Sequence, residues 1–196
     1  MTLILASESP RRAELLRQVA IPFRVVVPAV SEELSGRSSP EEMVAQLALR
    51  KAQAVSDRLA DGYVLGADTV VLHGETVLGK PVDSDDAVRM LRLLSGSRHS
   101  VLTGLALVNA ATGYYLERLS LTQVWVKTLV DSEIRAYIAT GEPFDKAGAY
   151  GIQGKGALLV EKIEGCYFNV VGLPLSLLNE MITEMNIPTW LSRKGG

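Results

Sequence analysis

Leu3-Ile4-Leu5-Ala6-Ser7-Glu8-Ser9-Pro10-Arg11-Arg12-Ala13-Glu14-Leu15-Leu16 is the stretch whose reading decides the fold class of this 196-residue chain. Leu3 to Ala6 form a continuous apolar run, as a buried strand does. Ser9 suits an N-cap, Pro10 suits the first helical position, and Leu15, Leu16 and Val19 give the helix that follows an apolar face. The order is therefore strand, tight turn, helix N-terminus. Arg11 and Arg12 stand out in that first helical turn, where the helix dipole already presents positive charge and a cation is unfavourable by a few tenths of a kcal/mol or more. Two readings stay open. Either the turn receives a polyanion, toward which the Arg pair, the hydroxyls of Ser7 and Ser9 and the free backbone N–H groups would all point, or the two Arg side chains extend into water.

Working outward, Phe23 to Val27 reads as a second strand, followed by a loop carrying Glu32 and Glu33. Ser39-Pro40-Glu41-Glu42 forms a capping box that opens a long helix to about Leu59. Val44, Leu47, Ala48 and Val55 make its apolar face, and Lys51 falls on that same face, either as a stem snorkelling to the rim or as a functional group. Tyr63 to Leu72 is the most apolar strand candidate, with Asp68 in its middle. An unpaired charge there is expensive, so Asp68 is expected to be paired, metal-bound, protonated or at a strand end opening into a cleft, with Gly66 allowing close backbone approach.

His73 to Thr76 reads as a hairpin loop returning along Val77 to Pro81, which places Lys80 a short reach from the strand of Asp68. Asp83 or Ser84 caps a helix whose face is Ala87, Met90, Leu91 and Leu94. His99–Asn109 and Tyr114–Lys127 form a long antiparallel hairpin, and His99 reads as a strand or loop residue rather than a ligand. Asp131 caps a short helix through Ile134, Tyr137 and Ile138 that stops at Gly141, and the stretch from Gly141 to Gly156 is too glycine-rich and too long for a plain connector. Strands are expected near Ala157 to Ile163 and Tyr167 to Val171, then a helix from Pro174, with the last residues fraying.

The composition narrows the class. With 47% hydrophobic and 21% charged residues the chain is globular rather than disordered or fibrous, and its length allows one domain over residues 1–196 with two lobes sharing a cleft. A net charge of −2 and 6% aromatic residues argue against a nucleic-acid-binding module or a polybasic membrane binder. The single cysteine, Cys166, excludes an intramolecular disulfide and points to a reducing cytoplasm, and with only His73 and His99 there is no His/Cys zinc signature. The N-terminal apolar stretch is too short for a signal peptide and no run approaches a membrane span, so an unanchored, soluble protein is expected.

Four segments together resemble the Maf family of nucleoside triphosphate pyrophosphatases over nearly the whole length. They are Leu5 to Arg12 with Glu14-Leu15-Leu16; Ala67-Asp68-Thr69-Val70-Val71; Gly79-Lys80-Pro81 with Met90-Leu91 and Leu94-Ser95-Gly96; and Asp145 to Gly154. The resemblance implies an α/β fold, a mixed twisted sheet flanked by helices in two lobes around a deep cleft as in ITPases. It implies cleavage of a nucleoside triphosphate between the α and β phosphates with a divalent metal, Mg²⁺ or Mn²⁺, commonly in a homodimer, and a role in nucleotide-pool cleaning or cell-division arrest. By position, Asp68 matches the family's proton acceptor, Glu32 its loop acid, and Lys51 and Lys80 its two cleft lysines. Glu32 and Asp68 are the metal-ligand candidates, and Ser31 departs from the pattern because many members carry an acid there. Arg11, Thr69 and Gln153 match positions associated with base choice. Asp68-Thr69 and the late loop resemble the branch acting on dTTP and UTP, whereas the 7-methyl-GTP branch has Asp-Gln at the first of these places.

Elementary chemistry runs in the same direction. Arg11, Arg12, Lys51 and Lys80 supply about four positive charges and a divalent ion two more, against about four negatives on a triphosphate and two on Glu32 and Asp68. Phosphoryl transfer needs positioning and charge stabilisation, and neither Ser7 nor Ser9 has a neighbouring His base in the sequence, so both read as hydrogen-bond donors to phosphate. The competing class is a nucleotide-binding regulator without turnover. A binding-only site facing a polyanion gains nothing from the extra carboxylate of Asp68.

Overall fold

The computed structural model describes residues 3–31 and 38–190, so Glu32 lies outside the described residues. The elements run β1 (Leu3–Ala6), α1 (Pro10–Gln18), β2 (Phe23–Val25), α2 (Pro40–Ser56), β3 (Tyr63–His73), β4 (Thr76–Leu78), α3 (Ser84–Leu94), β5 (Arg98–Asn109), β6 (Tyr115–Val126) and α4 (Asp131–Ile138). Three 3₁₀ turns follow, at Glu142–Asp145, Ala147–Ala149 and Gly154–Leu159, then β7 (Val160–Glu164), α5 (Tyr167–Val171) and α6 (Leu175–Glu184). Among the described residues the strands form one seven-stranded mixed sheet in the order β2-β1-β3-β5-β6-β7, with β4 paired to β3. β1 is parallel to both β2 and β3, whereas β4 and β7 pair antiparallel. The fold is α/β with helices flanking the sheet, as expected. Among the described residues no helix is long and apolar enough to cross a membrane.

Local chemistry accounts for the main helices. The Ser39 hydroxyl accepts from the Glu42 N–H at 3.2 Å and the Glu42 carboxylate accepts from the Ser39 N–H at 2.9 Å, the reciprocal capping box that the sequence predicts for α2. At α3 the cap is Asp83, whose carboxylate accepts from the Asp86 N–H at 2.8 Å. Ser9 occupies the N-cap position of α1 with an extended backbone, but its hydroxyl makes no capping bond.

Two expected strands are corrected. Tyr167–Val171 is helix, although its Tyr, Phe and two Val residues favour a strand by propensity. Asn169 decides the matter from within that turn, because its buried amide donates to the Val101 carbonyl and the Thr122 hydroxyl, both at 3.0 Å. The strand expected from Ala157 begins at Val160, since 154–159 coil as a 3₁₀ turn.

The chain divides into two compact units. One comprises the described parts of Met1–Asp68, Thr103–Ser120 and Gly172–Gly196; the other comprises Thr69–Leu102 and Leu121–Val171. In the first unit small residues pack α2 onto the sheet, with Ala48 and Ala52 against Ile4, Ala6, Val64 and Ala106. In the second, Met90, Leu91 and Leu94 of α3 and Ile134 of α4 pack with Val71 and Val124 of the sheet. Each fully buried large aliphatic side chain stabilises its unit by about 1.5–3 kcal/mol.

Candidate active site

In the first unit, the parallel pairing of β1 with β3 sets Ala6 opposite Gly66. β1 stops there and the chain turns at Ser7, while β3 runs on, so that Asp68 stands just past the end of its parallel neighbour. This is the carboxyl end of adjacent parallel strands, where open α/β sheets bind their ligands.

Asp68 is paired. Its Oδ1 accepts from the Lys51 ammonium at 2.7 Å, and each residue is only 8% exposed. Removing one partner of such a buried pair costs about 3–5 kcal/mol, because the other charge is left without compensation. The pair forms because α2 lies directly on the sheet backbone. A Cβ at Gly66 would stand 2.0 Å from the Ala48 carbonyl oxygen and 2.9 Å from the Ala52 nitrogen, and a Cβ at Gly104 would stand 2.5 Å from the Val44 carbonyl oxygen. Only glycine fits at both places. Ala48, Lys51 and Ala52 share a helix face by their i, i+3, i+4 spacing, and Gly66 and Asp68 share a sheet face by their spacing of two, so the contact that admits the helix also delivers Lys51 to Asp68. The close approach that Gly66 allows is therefore that of α2. Gly104, a lone glycine in the apolar run of β5, carries the same signal in the sequence.

The turn after β1 is built around Ser7 and Arg12. The Ser7 Oγ accepts from the Ser9 N–H and from the Arg12 guanidinium, both at 3.1 Å. With both acceptor positions used, its own hydroxyl hydrogen is left to donate. The Arg12 Nε–H donates to the Gly172 carbonyl at 2.8 Å, and Arg12 is buried, whereas Arg11 is half-buried. The two arginines that look alike in sequence thus differ. Arg12 is built into the frame of the turn, which replaces the picture of both extending into water. From within α2, the Arg50 guanidinium donates to the Ser31 carbonyl at 2.9 Å, fixing the last described residue before Glu32.

The second unit carries Thr69, Lys80 and Gln153. Thr69 and Gln153 are half-buried and Lys80 is exposed. Lys80 follows Gly79, whose carbonyl accepts from the Gly148 N–H at 2.9 Å, so the segment after β4 is tied to the late loop. That loop is fastened at several further points. The Tyr137 hydroxyl accepts from the Gly151 N–H at 3.2 Å, and the Glu142 carboxylate accepts from the Lys155 N–H at 3.0 Å. The Lys146 ammonium donates to the Glu142 carbonyl and to the Asp145 carboxylate, both at 2.7 Å. His99 Nε2 meets the Tyr150 hydroxyl at 2.7 Å, with the two rings edge to face. Burial, with the nearby His73 adding to it, pushes the His99 imidazole down to about 4, and burial holds the Tyr150 hydroxyl far above the ordinary phenol range. Both groups are neutral at physiological pH. His99 is a strand residue, as the sequence suggests, but its bond to Tyr150 could not be read from a separation of fifty-one residues.

Ser7, Ser9 and Arg12 are thus gathered into one turn, and Lys51 and Asp68 into one pair. Among the described residues no group of three or more His, Cys, Asp or Glu side chains could hold a metal ion.

A family profile described as Maf-like protein matches residues 2–185. A Symbiobacterium thermophilum protein named dTTP/UTP pyrophosphatase is 52% identical over 98% of this chain and 98% of its own length. Proteins of the same name from Geobacillus sp. and Acetivibrio thermocellus are 51% and 47% identical, over 89% and 94% of this chain and 92% and 96% of theirs. Among solved structures, the Staphylococcus aureus Ham1 protein aligns with a TM-score of 0.45 at 14% identity, over 64% of this chain and 72% of that one. With a profile matched over nearly its whole length and relatives this similar from end to end, the chain belongs to the Maf family.

Proposed function

We propose that the protein hydrolyses dTTP and UTP between the α and β phosphates, releasing the nucleoside monophosphate and pyrophosphate. The observation that carries this reading is the buried Lys51–Asp68 pair beside the Ser7–Arg12 turn, in a chain about half identical to proteins named dTTP/UTP pyrophosphatase. A carboxylate beside a phosphate-binding turn opposes simple nucleotide capture and serves turnover. In this mechanism Asp68 orients the attacking water and takes its proton as the oxygen bonds to the α phosphorus. The α–β bridging oxygen then leaves with the pyrophosphate. Lys51 holds Asp68 in place, and Arg11, Arg12 and Lys80 offset the phosphate charge. Ser7 and Ser9 donate hydrogen bonds to phosphate oxygens. Thr69 and Gln153 read the base, Gln153 offering both a donor and an acceptor to a pyrimidine's imide edge.

The donor set suits Mg²⁺ or Mn²⁺, which is held by one or two carboxylates and otherwise by substrate phosphates and water. Asp68, with Glu32, would hold the ion, and the ion would neutralise phosphate charge. Assembly as a homodimer belongs to the same reading and rests on the family resemblance, and a cytoplasmic location rests on the single cysteine. Incubation with a nucleoside triphosphate panel and Mg²⁺, separating pyrophosphate from orthophosphate, tests the reaction. Pyrophosphate with TMP or UMP is expected, and dTTP and UTP should outrun CTP and the purines. Orthophosphate with a nucleoside diphosphate would overturn it.

A further inference from the structure

The His99–Tyr150 pair is a poor device for stability. His99 Nδ1 is buried without a hydrogen-bond partner among the described residues, so the core carries an unsatisfied nitrogen that two apolar rings of similar volume would not leave. What the pair provides is geometry. His99 belongs to the regular strand β5, and Tyr150 lies in the late loop, three residues ahead of Gln153. On the other side α4 supplies the Tyr137 hydroxyl, which takes the N–H of Gly151 at 3.2 Å. Consecutive loop residues are therefore pinned from a strand and from a helix. Just before them, Ala149 holds φ +59°, a left-handed conformation that a residue with a Cβ adopts only when its surroundings impose it.

We propose that His99 and Tyr150 are positioning residues for base selection: their hydrogen bond fixes the loop conformation that presents the Gln153 amide to a pyrimidine. This rests on the reading of Gln153 given above. Neither residue touches substrate. Each acts through the backbone from Tyr150 to Gln153, and both stay neutral across the pH range in which the enzyme would work, so the position does not shift with proton uptake.

The test is the ratio of kcat/KM for UTP to that for CTP in the full chain, with thermal melts confirming the fold. Tyr150→Phe keeps the ring and removes the hydroxyl, and His99→Phe removes the imidazole. Each should lower the ratio about tenfold, mainly through KM for UTP, while kcat at saturating UTP stays within about threefold. His99→Gln, whose amide reaches the place of Nε2, should recover most of the ratio. Gln153→Ala should lower the ratio by itself, and the double variant Tyr150→Phe/Gln153→Ala should fall no further than Gln153→Ala alone. If Gln153→Ala lowers the ratio while Tyr150→Phe and His99→Phe do not, the positioning role is overturned and the base reader stands. If Gln153→Ala leaves the ratio unchanged, the base reader falls and the inference with it. A parallel loss for UTP and CTP in Tyr150→Phe or His99→Phe would mark a purely structural pair and also overturn the proposal. Should Tyr150→Phe fail to fold, the contrast between His99→Phe and His99→Gln decides between these outcomes.

Discussion

The Lys51–Asp68 pair and the Tyr150 loop are both polar constructions set in apolar surroundings, and they are held in opposite ways. Lys51 and Asp68 are charged, 2.7 Å apart, and carried by a helix and a strand brought into backbone contact by Gly66 and Gly104. The late loop has little regular structure, and what fastens it at Tyr150 and Gly151 is a set of neutral groups: an imidazole, two phenols and a backbone N–H. The difference teaches where rigidity is drawn from. A buried charge must be fixed closely, because a small separation of the partners exposes each to an uncompensated desolvation penalty. At Tyr150 and Gly151 only the backbone shape is held, and neutral hydrogen bonds hold it.

The comparison breaks most severely at Lys51. Lys51→Met leaves the Asp68 carboxylate buried without its partner, and urea unfolding should show a loss of about 3–5 kcal/mol. Adding Asp68→Leu should return most of that stability, because a matched apolar pair replaces a matched charged one, while activity stays absent. A double variant as unstable as Lys51→Met would contradict the account of the pair.

A smaller effect sharpens the other side. Burial keeps His99 neutral in the fold, with its protonation midpoint depressed from 6.5 to about 4, so between those values the unfolded chain binds the proton that the folded chain refuses. The stability this group contributes is therefore complete above about pH 6.5 and is lost as pH falls toward 4, by up to about 3 kcal/mol. Unfolding measured between pH 7 and 4 should show that decline, and His99→Phe should flatten it. An unchanged slope in His99→Phe would remove His99 as its cause.

Legibility in the sequence follows the same division. The first unit was open to reading because its signals are local: the Leu3–Ala6 run, the Ser39–Glu42 capping box and the alternation that places Asp68 one step beyond Gly66. Lys51 on an apolar helix face and Asp68 in an apolar strand each looked out of place, and the structure resolves both anomalies by pairing them. The burial of Arg12 was not legible, since its partner at Gly172 is 160 residues away. The late loop could be recognised by its glycines, but its three 3₁₀ turns and its anchors on Tyr137 and His99 depend on tertiary contacts without any periodicity. Tyr167–Val171 shows the same limit, where the buried hydrogen bonds of Asn169 override a strand-forming composition.

The central claim is that Asp68 does chemistry and is more than the acceptor for Lys51, and Asp68→Asn tests it most directly. The amide oxygen can still accept from Lys51 and the shape of the site is kept, but the buried Lys51 ammonium loses its counter-charge, so the variant should melt below the wild type and is assayed at a temperature where a thermal melt shows it folded. The measurement is kcat for UTP beside nucleotide Kd in that variant. The account predicts a fall in kcat of about 10²–10⁴, because the basic oxygen that takes the water's proton is gone. Kd should be unchanged or tighter, with one negative charge fewer beside the triphosphate. A correctly folded Asp68→Asn protein that turns over UTP at nearly the wild-type rate would contradict it.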